Sequence, residues 1–387
     1  MEKQNNIPQL RFPNFSEKWA NKKFGELTNR ISNPVEVKED ELYQQIGIRS
    51  HGKGIFHKEL VDGRTLGNKR VFWVKEDVFI VNIVFAWEQA VAKTTKKEIG
   101  MIASHRFPMY APKINEADLD YLVYFFLTKK GKSLLELASP GGAGRNKTLG
   151  QREFENLKLI IPSKDEQTKI ACFLSVVDEK LKTLECKINL LEEYKKGVMQ
   201  KLFSQKMRLK DKNGNEFSDW EPKKLGDCLN YIQPTKYIVT STDYDDKYTT
   251  PVVTAGKSFI LGYTNEDFGI YEEILPVIIF DDFTTASQFV NFPFKTKSSA
   301  LKILTAKNGN DIKFMFEALQ MIKYTTGAHG RHWISVFAEM EVNIPSPDEQ
   351  KRIAKFLSAI DCKIEVLELE FSNTLVWKNG LIQKLFC

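Results

Sequence analysis

One stretch of this chain is written twice. Residues 161–203, IPSKDEQTKIACFLSVVDEKLKTLECKINLLEEYKKGVMQKLF, return without a gap at 344–386 as IPSPDEQKRIAKFLSAIDCKIEVLELEFSNTLVWKNGLIQKLF. Of these 43 positions, 21 are identical at a constant offset of 183 residues. Each copy follows a longer stretch of mixed composition. The 387 residues therefore read as globule, helix, globule, helix, with length enough for two cores. A two-headed chain suggests a target with two parts.

Both copies carry the signals of a long helix. Ser163 precedes Glu166 by three residues and Ser346 precedes Glu349 by three, the spacing of a reciprocal capping box. Pro347 stands at the first helical position, where its missing N–H costs nothing. Ile170, Leu174, Val177, Leu181, Leu184, Ile188 and Leu191 then step by four and three, and Val198 and Leu202 keep the phase. The second copy gives Ile353, Leu357, Ile360, Ile364, Leu367, Phe371, Leu381 and Leu385. This is a coiled-coil seam. It is interrupted at matching places by Lys195 and Lys378, and by Thr374 in the second copy. Such residues either set register or reach out to solvent near a helix end. Gly197 and Gly380 follow two residues later, where close backbone approach or a fraying end would each account for them. Two helices, each roughly 60 Å long and joined through the short segment 204–216, are expected to pack antiparallel with the globules at opposite ends.

Around the helices the duplication is weaker. Phe15 to Trp19 corresponds to Phe217 to Trp220, and Lys22 to Glu26 to Lys223 to Asp227. A Gly-x-x-Gly-Arg element, Gly141 to Arg145 and Gly327 to Arg331, stands ahead of each helix. Between these landmarks the globules differ, as a common scaffold carrying two recognition surfaces would. Apolar runs at Val71–Val74, Val78–Val84, Pro276–Phe280 and Leu301–Leu304 read as strands, and Ala117–Leu127 and Ile312–Ile322 as helices. The expected fold class is α+β, two mixed globules with a pair of long antiparallel coiled-coil helices and an internal pseudo-two-fold repeat. The expected segments are 1–160, 161–208, 209–343 and 344–387.

Charge separates the two halves. Residues 1–160 hold 26 Lys and Arg against 19 Asp and Glu, whereas 209–343 hold 14 against 18. A basic first half fits a polyanionic partner; the second globule would need a local basic patch. The five cysteines form no CxxC pair and no zinc spacing, so reduced thiols are expected. No apolar run is long enough to cross a membrane, and MEKQNNIPQL lacks a signal-peptide core, which makes a cytoplasmic location the expectation. Catalytic motifs are absent: no GxxxxGK[ST], GxGxxG or HExxH, and no Asn/Asp-Pro-Pro-aromatic motif of amino-methyltransferases. Asp281 and Asp282 read as a turn, and His329 and His332 lack partners at ligand spacing.

The duplicated D-E-Q-x-x-I-A-x-F-L-S-x-x-D helix start, the Q-K-L-F helix end and the Phe-to-Trp approach to each globule resemble the specificity subunits of type I restriction-modification systems. The resemblance covers the whole chain. It implies two target recognition domains that each read one half of a bipartite, asymmetric duplex DNA site, with the helices as a ruler for the spacer. It implies as partners two modification subunits, which carry S-adenosylmethionine and methylate adenine, and restriction subunits that complete the nuclease. This chain itself would hold no cofactor or metal and perform no catalysis. Residue type in expected loops selects Arg49, Lys53, Arg64, Arg106, Arg145 and Asn146 as DNA contacts in the first globule. In the second it selects Lys236, Lys257, Thr284, Thr285, Lys295, Lys297, Ser298, His329 and Arg331. Arg145 and Arg331, each beside a glycine-rich loop, are expected on phosphate. Two other classes stand against this reading. A protein-binding coiled-coil scaffold would lack DNA specificity, and a self-contained enzyme would transfer methyl groups alone.

Overall fold

The structure is a computed structural model, which describes residues 7–141, 147–256, 258–307, 309–324 and 332–386. The two repeats form helices Lys164–Phe203 and Pro347–Leu385. The chain divides into two compact units, residues 1–184 with 370–387, and residues 185–369. Each unit therefore takes one globule, the nearer half of one long helix and the farther half of the other.

The helix starts fall where expected, but the capping boxes do not form. Glu166 and Glu349 are buried, and each carboxylate is taken by an arginine from the segment ahead of its own globule. In unit 1, Arg11 donates through Nε and Nη2 to Glu166 at 2.8 Å each and through Nη2 to the Glu17 carbonyl at 2.6 Å. In unit 2, Arg208 reaches Glu349 at 3.3 and 2.8 Å and the Ser218 carbonyl at 2.6 Å. The Ser346 hydroxyl is buried without a partner. A bidentate charged pair outcompetes the single backbone N–H of the capping serine for the same carboxylate.

The following glutamine explains the rest of the D-E-Q triplet. Gln167 accepts from the Asp118 N–H at 3.0 Å and donates to the Pro162 and Glu116 carbonyls. Gln350 repeats this with the Asp311 N–H at 2.9 Å and the Pro345 carbonyl. Asp118 and Asp311 are in turn the N-caps of helices Leu119–Leu127 and Ile312–Met321. The recurring triplet thus docks each globule's own helix onto the long one.

Both units are built on the same four-stranded antiparallel sheet. In unit 1 the order is Thr28–Ile31, Met109–Pro112, Phe79–Val81, Val91–Lys93. In unit 2 it is Leu229–Ile232, Leu301–Ala306, Val277–Asp281, Ser287–Val290. A two-stranded ribbon, Ala20–Lys23 with Lys158–Ile161 or Glu221–Lys224 with Glu341–Ile344, leads into each long helix. The remaining sheets differ. Unit 1 has Ile55–Asp62, Leu42–Ile48, Ile102–Ser104 and Val71–Trp73; among the described residues unit 2 has Ile260–Thr264, Thr250–Val253 and Lys295–Thr296. The run Val78–Val84 is shorter as a strand than its composition suggests, because the Asn82 side chain takes the Val84 N–H at 3.1 Å and turns the chain.

Within each unit the helix halves pack antiparallel. In unit 1, Phe173 meets Trp377 and Lys180 pairs with Glu370 at 2.9 Å. In unit 2, Val198, Leu202, Ile353 and Leu357 share one core. The seam lysines settle between their two readings: both are held in ion pairs inside their units. Lys195 reaches Asp361 at 2.7 Å and Glu317 at 2.9 Å, and Lys378 pairs with Asp178. Asp178 and Asp361 are themselves 183 residues apart, so the repeat carries the lysine and its partner together. Beyond their own helix, a Cβ placed on Gly197 or Gly380 would meet no atom of the described residues within 4 Å.

Candidate nucleic-acid interface

In both units the chain leaves the central strand of the common sheet in a turn shaped by an acid or its amide. Asn82 takes the Val84 N–H, and Asp281 takes the N–H groups of Phe283 and Thr284 at 2.9 and 2.8 Å. The segment after each glycine-rich loop returns to the next residue: Leu149 N–H to the Ile83 carbonyl at 2.8 Å, and His332 N–H to the Asp282 carbonyl at 2.9 Å. A third connection arrives at that residue from the other side. Ile83 donates to the Arg106 carbonyl at 3.0 Å and Asp282 to that of Ala300 at 2.9 Å. Hydrogen-bonded register thus makes Ile83 and Asp282 equivalent, and loops of divergent sequence converge on them.

In unit 1 this convergence gathers positive charge. The turn Ser50–Gly54 is fastened to the 3-10 helix Ala86–Glu88 by Ser50 Oγ to Glu88 at 2.7 Å, and by the N–H groups of His51 and Gly52 to the carbonyls of Glu88 and Gln89. Gly52 has φ +66° and faces Leu127, leaving no room for a Cβ. Arg49 is exposed and stacks 4.8 Å from the Phe56 ring centroid, Lys53 is exposed in the turn, and Arg106 is exposed beside Ile83. Lys147, which is not among the candidates chosen by residue type, lies 5.6 Å from the Trp87 ring centroid. Arg64 stands apart from this group. It follows the far end of strand Ile55–Asp62, roughly 20 Å along the hairpin from Lys53, where Asp40 at 2.6 Å and Glu39 at 3.6 Å surround it with negative charge.

Unit 2 assembles a smaller and more neutral group. Thr284 is exposed, Thr285 holds φ +59° in the same turn, and Ser298 takes the Ala300 N–H at 3.0 Å beside it. Lys297 is half-buried and donates to the Tyr244 hydroxyl at 3.3 Å; Lys236 is exposed on the 3-10 helix Pro234–Tyr237. Asp281 and Asp282 part company: the first shapes the turn as expected, and the second is buried against Lys302 at 3.2 Å. Arg145, Asn146, Lys257, His329 and Arg331 lie outside the described residues.

Lys295 requires correction as a DNA contact. It lies fully buried in a strand, paired with Glu266 at 2.7 Å and donating to the Phe268 carbonyl at 2.6 Å. Burial raises the Glu266 carboxyl, but hydrogen bonds from Lys295, Thr240 and Ser241 outweigh it and bring the pKa down to about 2. A carboxylate with a depressed folded pKa stabilises above its ordinary value and loses that contribution as pH falls through the folded value. The pair's contribution of about 3 kcal/mol should therefore be present at pH 6 and decline between about pH 4.5 and 2. Urea midpoints at pH 6 and pH 3 should fall less for Glu266→Gln than for the parent; equal falls would refute this.

Among the described residues no group of His, Cys, Asp and Glu could hold a metal ion, and no helix is long and apolar enough to cross a membrane. What the two sites offer is exposed Arg, Lys and Thr on turns anchored to a rigid sheet, a set suited to phosphate and base-edge hydrogen bonds.

The family model for the type I restriction modification DNA specificity domain matches residues 16–193 and again 217–375, one match for each globule and the start of its long helix. Over 147 residues, 37% of this chain, it is 47% identical to the type I restriction enzyme EcoR124I/EcoR124II specificity subunit of Escherichia coli, of which 36% is covered. Over 67% of the chain it is 26% identical to the putative MjaX specificity subunit of Methanocaldococcus jannaschii, of which 65% is covered. The chain thus spans about a third of the first relative's length and just under two thirds of the second's. The solved S subunit of a type I restriction-modification system from M. genitalium shares the fold, with a TM-score of 0.65 at 17% identity, over 98% of this chain and 99% of that one. Two family matches that together cover most of the sequence make this chain a member of the type I restriction-modification DNA specificity family.

Proposed function

We propose that the chain is the non-catalytic, DNA-reading subunit of a type I restriction-modification complex, each unit reading one half of a bipartite duplex site. The observation that carries this is the convergence just described: a common sheet delivers divergent polar turns to the equivalent place in two units. Arg49, Lys53, Arg106 and Lys147 are the contacts favoured in unit 1, and Thr284, Thr285, Lys236 and Lys297 in unit 2. Two modification subunits bearing S-adenosylmethionine would supply the chemistry, and restriction subunits the cleavage.

A duplicated docking surface supports two copies of one partner. Unit 2 has a cleft of about 510 Å³ lined by Lys196, Met199, Gln200, Gln320, Met321 and Lys323. Unit 1 has one of about 510 Å³ lined by Asn379, Ile382, Gln383, Leu127, Thr128 and Lys130. The long-helix residues correspond at the 183-residue offset, and Gly197 and Gly380 lie beside them with open space around them.

The test is reconstitution. Chain, modification subunits and S-adenosylmethionine should together methylate a two-part DNA sequence, while the chain alone should transfer no methyl groups. Binding should weaken steeply with salt, and Lys53→Ala should reduce the slope of log K against log salt by about 1. Methyl transfer by the isolated chain, or methylation without sequence preference, would overturn the reading.

A further inference from the structure

Unit 2 buries an ion pair where unit 1 has apolar residues. Asp282 and Lys302 are both almost fully enclosed and lie 3.2 Å apart. The sheet register that equates Asp282 with Ile83 also equates Lys302 with Pro108. The backbone bonds around the two places are the same, so this scaffold closes without the pair. Replacing a buried ion pair by apolar groups is often neutral or favourable for stability. Its presence in unit 2 therefore calls for a reason other than holding the sheet together.

The pair touches the elements that carry candidate contacts. Asp282 immediately precedes the exposed turn Phe283–Ala286, and its Oδ1 accepts the Trp333 N–H at 2.8 Å while its carbonyl accepts that of His332 at 2.9 Å. Lys302 also donates to Gln233 at 3.1 Å, the residue before the 3-10 helix that carries Lys236. A charge-assisted network with fixed directions holds three loops in one arrangement, which apolar packing would do less strictly.

We infer that Asp282 and Lys302 are positioning residues for unit 2, fixing the Phe283–Ala286 turn against His332–Ser335 and so setting which bases the second half-site accepts. This rests on the proposed DNA reading. The test uses the full chain with modification subunits and S-adenosylmethionine on a plasmid library randomised across the methylated site. The variant is Asp282→Asn with Lys302→Met, which removes both charges together and keeps an acceptor for the Trp333 N–H. Discrimination against single mismatches should fall by about tenfold in one half-site only, with the other half-site and the melting temperature close to those of the parent. The half that relaxes should be the one that Thr284→Ala also affects. Unchanged preference at both halves, whether or not the melting temperature falls, would overturn the inference and reduce the pair to a structural role. Equal relaxation of both halves would overturn it too. A parent complex with no two-part preference would instead remove the reading on which it rests.

Discussion

Lys195→Met should destabilise unit 2 by about 3–5 kcal/mol, whereas Lys378→Met should cost unit 1 about 1 kcal/mol or less, although the two lysines occupy the same place in the repeat. The difference lies in what surrounds them. Lys195 and Lys313 together neutralise Glu317 and Asp361, with Glu317 fully buried and four ion pairs of 2.7–2.9 Å closing the square. Burial lowers the Lys195 pKa, but the hydrogen bond to Asp361 and the charge of Glu317 more than offset it, and the net shift is upward. Removing Lys195 leaves two partly or fully buried carboxylates with one cation. Lys378 instead faces Asp178, which is half-exposed and already receives the Tyr124 hydroxyl at 2.6 Å.

Two further measurements separate this account from simple loss of packing. Lys195→Met combined with Glu317→Gln restores neutrality around Lys313 and Asp361, so most of the lost stability should return. Burial raises the Asp361 carboxyl, yet bonds from Lys195 and Lys313 outweigh it and hold its pKa below the ordinary value. Its contribution is thus present above that value and lost on acidification through the folded one. The gap between parent and Lys195→Met should accordingly narrow below about pH 4. Urea unfolding followed by hydrogen exchange in unit 2 reports all of this. A gap that is unchanged by pH and by Glu317→Gln would point to packing instead.

The seam pattern shows what periodicity can and cannot disclose. Four-and-three spacing showed both long helices and named most of their buried faces, because the period of an α-helix is local. The same pattern showed Lys195 and Lys378 as interruptions but not their partners. Asp178 and Asp361 close the recurring helix-start motif without showing what they bind, and Glu317 belongs to a helix 122 residues from Lys195. The capping boxes failed for the same reason: Ser163 and Glu166 are close in sequence, while Arg11, which claims the carboxylate, is 155 residues away from it.

The candidate interface was legible to the extent that loops reveal themselves by composition. Arg49 and Lys53 flank a turn bonded to Glu88 and Gln89, and the Arg106 carbonyl takes the Ile83 N–H, so hydrogen bonds tie both segments to one loop in a way that no residue announces. Arg64 and Lys295 were equally good choices by type. Arg64 stands at the other end of its hairpin beside Asp40 and Glu39, and Lys295 lies buried in a two-residue strand too short to show a period. Lys147 lies by Trp87, 60 residues away in sequence, a pairing that only the fold creates.

The arginines that displaced the capping boxes yield the second large effect. Arg11→Ala should cost unit 1 about 3–5 kcal/mol, and Arg208→Ala should cost unit 2 about 1 kcal/mol less. Each substitution strands a buried carboxylate at the first turn of a long helix, where the helix dipole favours the negative charge but cannot replace two directed donors. The asymmetry comes from tryptophan. Trp220 Nε1 donates to Glu349 at 3.1 Å and stays behind when Arg208 is removed, whereas Trp19 Nε1 makes no hydrogen bond. Adding Glu166→Gln to Arg11→Ala should recover part of the loss by removing the stranded charge, and Glu349→Gln should recover less in the Arg208→Ala background. Each arginine also fastens its own segment to the approach of its globule through the Glu17 or Ser218 carbonyl, and the residue before it bonds the end of a long helix, Leu10 N–H to the Lys384 carbonyl at 2.9 Å and Met207 N–H to that of Lys201 at 3.1 Å. Exchange of the Leu10 and Met207 amides should therefore speed up in the corresponding variant and not in the other. If Arg208→Ala proved the costlier of the two, or if neither glutamine restored stability, the buried carboxylates would not be what these arginines serve.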